Sequence, residues 1–151
     1  MNIRPFCSEF LEKVSKYYEI FVFTASCKTY AESIVDLIDP NFEYIENILN
    51  RNHCLVTKRG HFIKDLNIIK NRNLEDIVHV DDTISACALN LNNGIPIIRW
   101  ENDKQDQELK YLADYLVEIS SVSDVRVPLK ARFNLEGLGL LKREEVLNSY
   151  L

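Results

Sequence analysis

The stretch Tyr18-Glu19-Ile20-Phe21-Val22-Phe23-Thr24-Ala25-Ser26 decides the fold class. Ile20 to Phe23 is aromatic and β-branched without polar alternation, which suits a strand covered on both faces, a central parallel strand. Thr24-Ala25-Ser26 breaks that run. Tyr30, Ile34, Val35, Leu37 and Ile38 then recur at helical spacing until Asp39-Pro40 stops them. The unit is a strand, a short polar turn and a helix. Ligands of open parallel sheets collect beyond the carboxyl ends of strands, so the turn at Thr24 is a candidate site on geometry alone.

The same reading extends in both directions. After Pro5, the residues Phe6, Phe10, Leu11 and Val14 predict an amphipathic helix up to Ser15. Downstream, Ile45 to Leu49, Cys54 to Thr57 and His61 to Ile63 read as short strands, the last two joined by Lys58-Arg59-Gly60 as a hairpin turn. Ile77-Val78-His79-Val80 is a further apolar strand ending in Asp81-Asp82-Thr83, and Ile95-Pro96-Ile97-Ile98 is another. Leu109, Leu112, Ala113, Leu116, Val117 and Ile119 mark a helix face, and 142–151 predicts a last helix. Alternating strands and helices give an α/β class, a parallel sheet flanked by helices with a small β-hairpin insertion.

Composition bounds the function. A chain of 151 residues with 46% hydrophobic content suits one globular domain with a sizeable core, and no composition break marks a second. No apolar run approaches the roughly 20 residues of a membrane span, and the first residues lack a secretion signal. A net charge of −5 weighs against general nucleic-acid binding. Cys7, Cys27, Cys54 and Cys87 form no Cys-x-x-Cys pair, so reduced thiols in an intracellular compartment are expected instead of a zinc site.

Three features carry possible chemistry, each with a plainer rival. Asp81 and Asp82 follow an apolar strand; adjacent carboxylates repel unless a cation or donors sit there, and Mg²⁺ is a suitable cation. The rival is an exposed helix start capped by one aspartate. Arg51 to Lys64 holds six basic or histidine residues and no acidic one, which favours an anionic ligand such as phosphate; on composition alone a solvated hairpin with basic turn residues is the leading reading. Lys64 stands out because it follows Phe62-Ile63 at an element's end. Thr24-Ala25-Ser26 can form an anion cradle at a helix start or act as an ordinary N-cap. Taken together, hydroxyl turn, lysine and acidic pair describe a phosphate-plus-metal site.

These residues carry a resemblance. Arg4-Pro5, Phe10-Leu11, Tyr18 to Ser26, Tyr30-Ala31 and Leu37 to Pro40 resemble the phosphatases that act on the RNA polymerase II C-terminal domain, with their small-phosphatase and Dullard-like relatives in the haloacid dehalogenase superfamily. The likeness continues through Arg51 to Cys54, Gly60 to Leu66, Ile77 to Asp82, Asn93 to Trp100 and Asp124-Val125-Arg126. It implies a partial domain over residues 1–130 and a C-terminal extension over 131–151. It also implies that Thr24 holds the transferring phosphoryl group, Lys64 neutralises its charge, Asp82 binds Mg²⁺ and Asp81 supports it. Arg51 and Tyr30 then border a phosphoserine or phosphothreonine protein substrate. The family's chemistry uses an aspartate nucleophile that becomes an aspartyl-phosphate.

That nucleophile belongs to a first motif, Asp-x-Asp-x-Thr or Val, expected before Arg4-Pro5, and these 151 residues contain no such motif. The resemblance therefore predicts a domain whose first, central strand is missing, with Mg²⁺ binding weakened or lost and no turnover by this chain. The rival reading is a non-catalytic peptide-binding module resembling the presequence receptor of the mitochondrial inner-membrane translocase. A third is a module that takes the missing strand from a partner chain. A nuclear or cytoplasmic location fits the first reading, a mitochondrial one the second.

Overall fold

In the computed structural model, which describes residues 2–138, Ile20–Phe23 is strand β1 and runs parallel to β2, Ile45–Leu49. Between them lies helix α2, Lys28–Ile38, so strand, helix and strand form one βαβ unit. Helix α1, Cys7–Val14, precedes it. Leu55–Val56 (β3) and Phe62–Ile63 (β4) are the antiparallel hairpin. His79–Asp81 (β5) and Gly94–Pro96 (β6) form a second parallel pair, and helices α3, Glu108–Ile119, and α4, Arg126–Phe133, follow. The helix predicted over 142–151 lies outside the described residues.

The chain forms two compact units, one from Met1–Asn52 with Ile98–Ser121, the other from His53–Ile97 and the described residues from Val122 onward. Because the chain passes from one unit to the other and back, no change in composition marks the division. The parallel sheet is likewise present as two ladders, β1 with β2 and β5 with β6, among the described residues. All four residues of β1 are half-buried, less covered than the apolar run predicts, since β2 is its one strand neighbour among those residues.

In the first unit the apolar faces do what their spacing dictates. Leu11 from α1, Val35 from α2 and Ile45 from β2 are buried together, with Phe10, Ile20, Val22 and Ile48 packed around them. Tyr18 donates its hydroxyl to the Leu116 carbonyl of α3 at 2.6 Å, which gives its polar tip a partner where the ring is covered. Arg4 makes a forked contact with Asp106, both oxygens at 2.8 Å, and donates to the Ile98 carbonyl. Phe6 stands at φ 63° and turns the chain, so α1 begins at Cys7 and Pro5 lies outside it.

Asp39 does more than end α2. Its side chain is buried and accepts the backbone N–H groups of Glu43, Tyr44 and Ile45 at 2.8–2.9 Å, which orders the loop into β2. Burial pushes the carboxyl up, but the three amides overcome it and hold the pKa below its ordinary value. Asp39→Ala leaves those donors unmet and is expected to lower unfolding free energy by about 2 kcal/mol in urea denaturation at pH 7. The folded pKa is depressed, so the stabilisation is complete above the unfolded value of about 3.9 and is lost as pH falls through the lower, folded value. The variant's deficit therefore shrinks in acid.

The second unit is built around β5 and β6. Asn93, 1% exposed, donates to the carbonyls of Leu74 and Ile77 at 2.6 and 2.7 Å and so pins the approach to β5. Gly94 opens β6 where any Cβ would lie 2.9 Å from the Leu135 side chain, so the strand start tolerates no larger residue without displacing it. Ile63 and Ala88 are buried against each other with Leu89.

Candidate functional site

The candidate residues fall into two groups, one in each unit. In the first unit, β1 delivers Thr24 to the start of α2. The Thr24 amide donates to the Leu49 carbonyl at 2.8 Å, and its hydroxyl oxygen accepts the Ser26 N–H at 3.1 Å. The N-cap of α2 is Cys27, so Thr24 is not the cap of that helix. Arg51 clasps the same turn: its Nε donates to the Ala25 carbonyl at 2.7 Å and its backbone N–H to the Ser26 carbonyl. Thr24, Ser26 and the half-exposed Tyr30 line a cavity of about 430 Å³ with Arg4, Ile34 and Trp100. Its lining is mostly apolar with hydroxyls beside Thr24. Arg4 and Trp100, which carry the family resemblance without a site role in the sequence, join the turn here from far along the chain.

In the second unit, Lys64 directly follows β4 and Asp81 closes β5. Lys64 Nζ donates to Asp81 Oδ2 at 2.5 Å, with side-chain exposures of 13% and 6%. Asp81 Oδ1 accepts the Thr83 amide at 2.8 Å. His79 Nε2 lies 3.5 Å from Asp81 Oδ2, and His79 Nδ1 lies 3.2 Å from the buried Cys87 Sγ. Burial alone would raise the Asp81 carboxyl; contacts from His79 and Lys64, the Lys64 charge and the Thr83 amide bring it down to about 2. Cys87 is pushed up to about 12 by burial and by the Asp81 charge, partly offset by Lys64. It is a buried thiol, not a nucleophile.

The basic stretch separates cleanly. Arg51, His53, Lys58, Arg59 and His61 are exposed, with Gly60 at φ +81° in the hairpin turn, whereas Lys64 is turned inward onto a carboxylate. Lys58, Arg59 and His61 thus belong to an exposed hairpin, Arg51 is engaged with the turn at Ala25, and Lys64 is paired with Asp81. The sequence places His79 in a strand and gives it no site role. Its signal is a histidine inside an apolar strand, two residues before Asp81 and hence on the same strand face.

Asp82 is exposed, and its Oδ1 accepts the Thr83 hydroxyl at 3.0 Å. No group of three or more His, Cys, Asp or Glu residues able to hold a metal occurs among the described residues. Asp81 is engaged on both oxygens by protein donors. Asp82 thus fits as a single carboxylate ligand to Mg²⁺, an ion that takes most of its coordination from water and phosphate.

Comparison with known proteins gives this arrangement a family. The model of the NLI interacting factor-like phosphatases matches residues 1–126, and the chain belongs to that family. CTD small phosphatase-like protein 2 of Dictyostelium discoideum is 38% identical over 132 residues, which is 87% of this chain and 23% of that protein. CTD small phosphatase-like protein 3 of Caenorhabditis elegans is 37% identical, over 89% of this chain and 47% of its own length. The chain thus spans less than half of these relatives. Among solved structures, the RNA polymerase II CTD phosphatase Fcp1 superposes with a TM-score of 0.69 at 18% identity, over 91% of this chain and 50% of that one. The fold is that of the haloacid dehalogenase-like phosphatases, of which the described residues hold a part.

Lys64→Met leaves the Asp81 charge buried without its cation and is expected to cost about 3 kcal/mol of stability. Adding Asp81→Asn recovers part of that loss. A double-mutant cycle by denaturant titration measures the coupling; additivity of the two single changes would show that the pair contributes nothing as a pair.

Proposed function

We propose that this chain supplies the phosphate-handling residues of a phosphoprotein phosphatase domain acting on phosphoserine or phosphothreonine segments. The observation that carries the reading is the buried Lys64–Asp81 pair at the ends of β4 and β5, in a chain of the NLI interacting factor-like family. Lys64 neutralises phosphoryl charge, its ammonium aimed by Asp81 instead of mobile in solvent. The Thr24 hydroxyl, fixed by the Ser26 amide, contacts a phosphoryl oxygen. Arg51, which braces the turn, and Tyr30, which borders the cavity, face the peptide around it. Asp82 is the one ligand offered here to Mg²⁺, which as a Lewis acid offsets phosphate charge when bound. One carboxylate binds the ion weakly.

The group that attacks phosphorus is not among these residues, because no Asp-x-Asp pair occurs in the sequence. A polypeptide of these 151 residues is therefore expected to hydrolyse no p-nitrophenyl phosphate with Mg²⁺, and measurable hydrolysis overturns the assignment. Extended by a strand bearing Asp-x-Asp-x-Thr, it is expected to release phosphate from phosphoserine peptides. In that form Lys64→Ala and Thr24→Ala each lower kcat by roughly 10²-fold or more, as removal of a preorganised charge-stabilising group does. An extended and folded protein inert on such peptides defeats the enzyme reading.

The apolar lining beside Thr24 also suits a peptide-binding module of the presequence-receptor kind. That reading predicts equal affinity for phosphorylated and unphosphorylated peptides and indifference to Lys64→Ala, both measurable by calorimetry. Two relatives named as nuclear envelope proteins, in Saccharomyces cerevisiae and Xenopus tropicalis, support a nuclear or cytoplasmic setting for the phosphatase. Among the described residues no helix is long and apolar enough to cross a membrane.

A further inference from the structure

The β3–β4 hairpin belongs to the second unit and runs directly into Lys64, yet the proposed phosphatase chemistry uses none of its residues. Val56 stands opposite Phe62, and the next pair toward the turn is joined by the Thr57 N–H on the His61 carbonyl at 2.9 Å. Antiparallel ladders alternate hydrogen-bonded with non-hydrogen-bonded pairs, so the N–H and C=O of Val56 point away from β4. On the β4 side the Lys64 amide donates to the Ala86 carbonyl at 2.9 Å. Among the described residues β3 has no second strand neighbour, and its side chains stay in solvent: Leu55 is 39% exposed and Val56 52%.

The same hairpin is basic at its tip. Gly60, at φ +81°, donates its N–H to the Thr57 carbonyl at 2.8 Å, which closes the turn and holds Lys58 and Arg59 at its crest. Both are exposed, and neither side chain makes an ion pair or hydrogen bond with another described residue. No Asp or Glu occurs from Arg51 to Lys64.

We propose that this hairpin docks an extended acidic segment of the phosphoprotein substrate, one that pairs with the β3 edge while its Asp or Glu side chains meet Lys58 and Arg59.

Three observations select that occupant. The outward amide and carbonyl of Val56 call for main-chain partners, which an extended peptide supplies by strand addition and a small anion does not. Exposed Leu55 and Val56 offer apolar contact beside them. Lys58 and Arg59, without counter-charges in their own segment, favour carboxylates and repel basic segments, so charge sets the choice of partner while the backbone sets its pose. Distance ties this strip to the candidate site. Lys64 lies four residues beyond Gly60, about 14 Å of strand at roughly 3.4 Å per residue. An extended substrate with its phosphate at Lys64 therefore brings residues about four positions away to the hairpin tip. The inference rests on Lys64 as the phosphate-handling residue for that placement; recognition of the acidic segment is read without it.

The test titrates three peptides of equal length into the ¹⁵N-labelled 151-residue protein at pH 7 and low ionic strength, with affinity read from amide shifts. One carries phosphoserine with glutamates about four residues away, the second has glutamine in place of those glutamates, and the third carries the glutamates with unphosphorylated serine. Glutamate is expected to tighten binding roughly five- to tenfold over glutamine, with shifts at Leu55, Val56 and Thr57 and slowed hydrogen exchange at the Val56 amide. Added salt shrinks that advantage. The double variant Lys58→Gln/Arg59→Gln, on the exposed turn, removes it. Equal affinity of the glutamate and glutamine phosphopeptides overturns the proposal and leaves the phosphatase reading untouched. Equal affinity of the two glutamate peptides, with the hairpin shifts retained, supports the docking strip and counts against the phosphatase reading. Binding by none of the three defeats both. Cations on an open edge also guard it against pairing with other chains. If that is all Lys58 and Arg59 do, the double variant self-associates while the preference for glutamate persists, and the proposal fails. Concentration-dependent shifts at Val56 without any peptide would assign the edge to a second copy of this chain and overturn it as well.

Discussion

A carboxylate removed from water must be surrounded by donors, and each unit of this protein is organised around one that is. In the first unit it is Asp39, which collects three consecutive backbone amides and fixes how α2 leads into β2. In the second it is Asp81, which collects an ammonium and an amide, with an imidazole close by. The physics is the same in both places: desolvation raises the carboxyl, and the donors more than offset it. The difference lies in the donors. Amides satisfy Asp39 without residual charge to offer a ligand. Asp81 is paired with a lysine whose remaining N–H groups can still serve an anion, and that distinction separates a structural carboxylate from one at a candidate site.

This view also explains why the acidic pair Asp81-Asp82 is not symmetrical. Asp81 belongs to the strand, its side chain turned into the unit and its carbonyl accepting the Ile97 amide from the β6 side. Asp82 has left the ladder and is exposed. Strand geometry points successive side chains to opposite faces, so two neighbouring aspartates cannot share one environment. One is committed to buried protein donors, the other is exposed and accepts the Thr83 hydroxyl. The repulsion expected of adjacent buried carboxylates is thereby avoided through placement, without any need for a metal between them.

Much of the fold is readable along the chain because it rests on local periodicity. The apolar run at Ile20 and the helical spacing from Tyr30 to Ile38 give β1 and α2; Lys58-Arg59-Gly60 gives the hairpin; the face from Leu109 to Ile119 gives α3. Lys64 is legible as the basic residue at an element's end, Thr24 as the hydroxyl at a strand's end. Three things are not legible. The division into two units arises from contacts between segments far apart in sequence, with no composition change at either crossing. The role of Asp39 depends on amides four to six residues later that converge only when the loop has folded. The contacts among Cys87, His79, Asp81 and Lys64 join the residue after β4, two residues of β5 and the turn after it, and no spacing rule ties a lysine at 64 to a cysteine at 87.

The sequence by itself therefore determined the elements, the family and the chemical kinds of residue at strand ends, because periodicity and motif order are properties of neighbours along the chain. Tertiary structure decided which of the basic residues is turned onto a carboxylate, which aspartate is buried, and which cysteine meets a histidine. Those outcomes depend on burial and on donor geometry within a few ångströms, and both exist only after distant segments have packed.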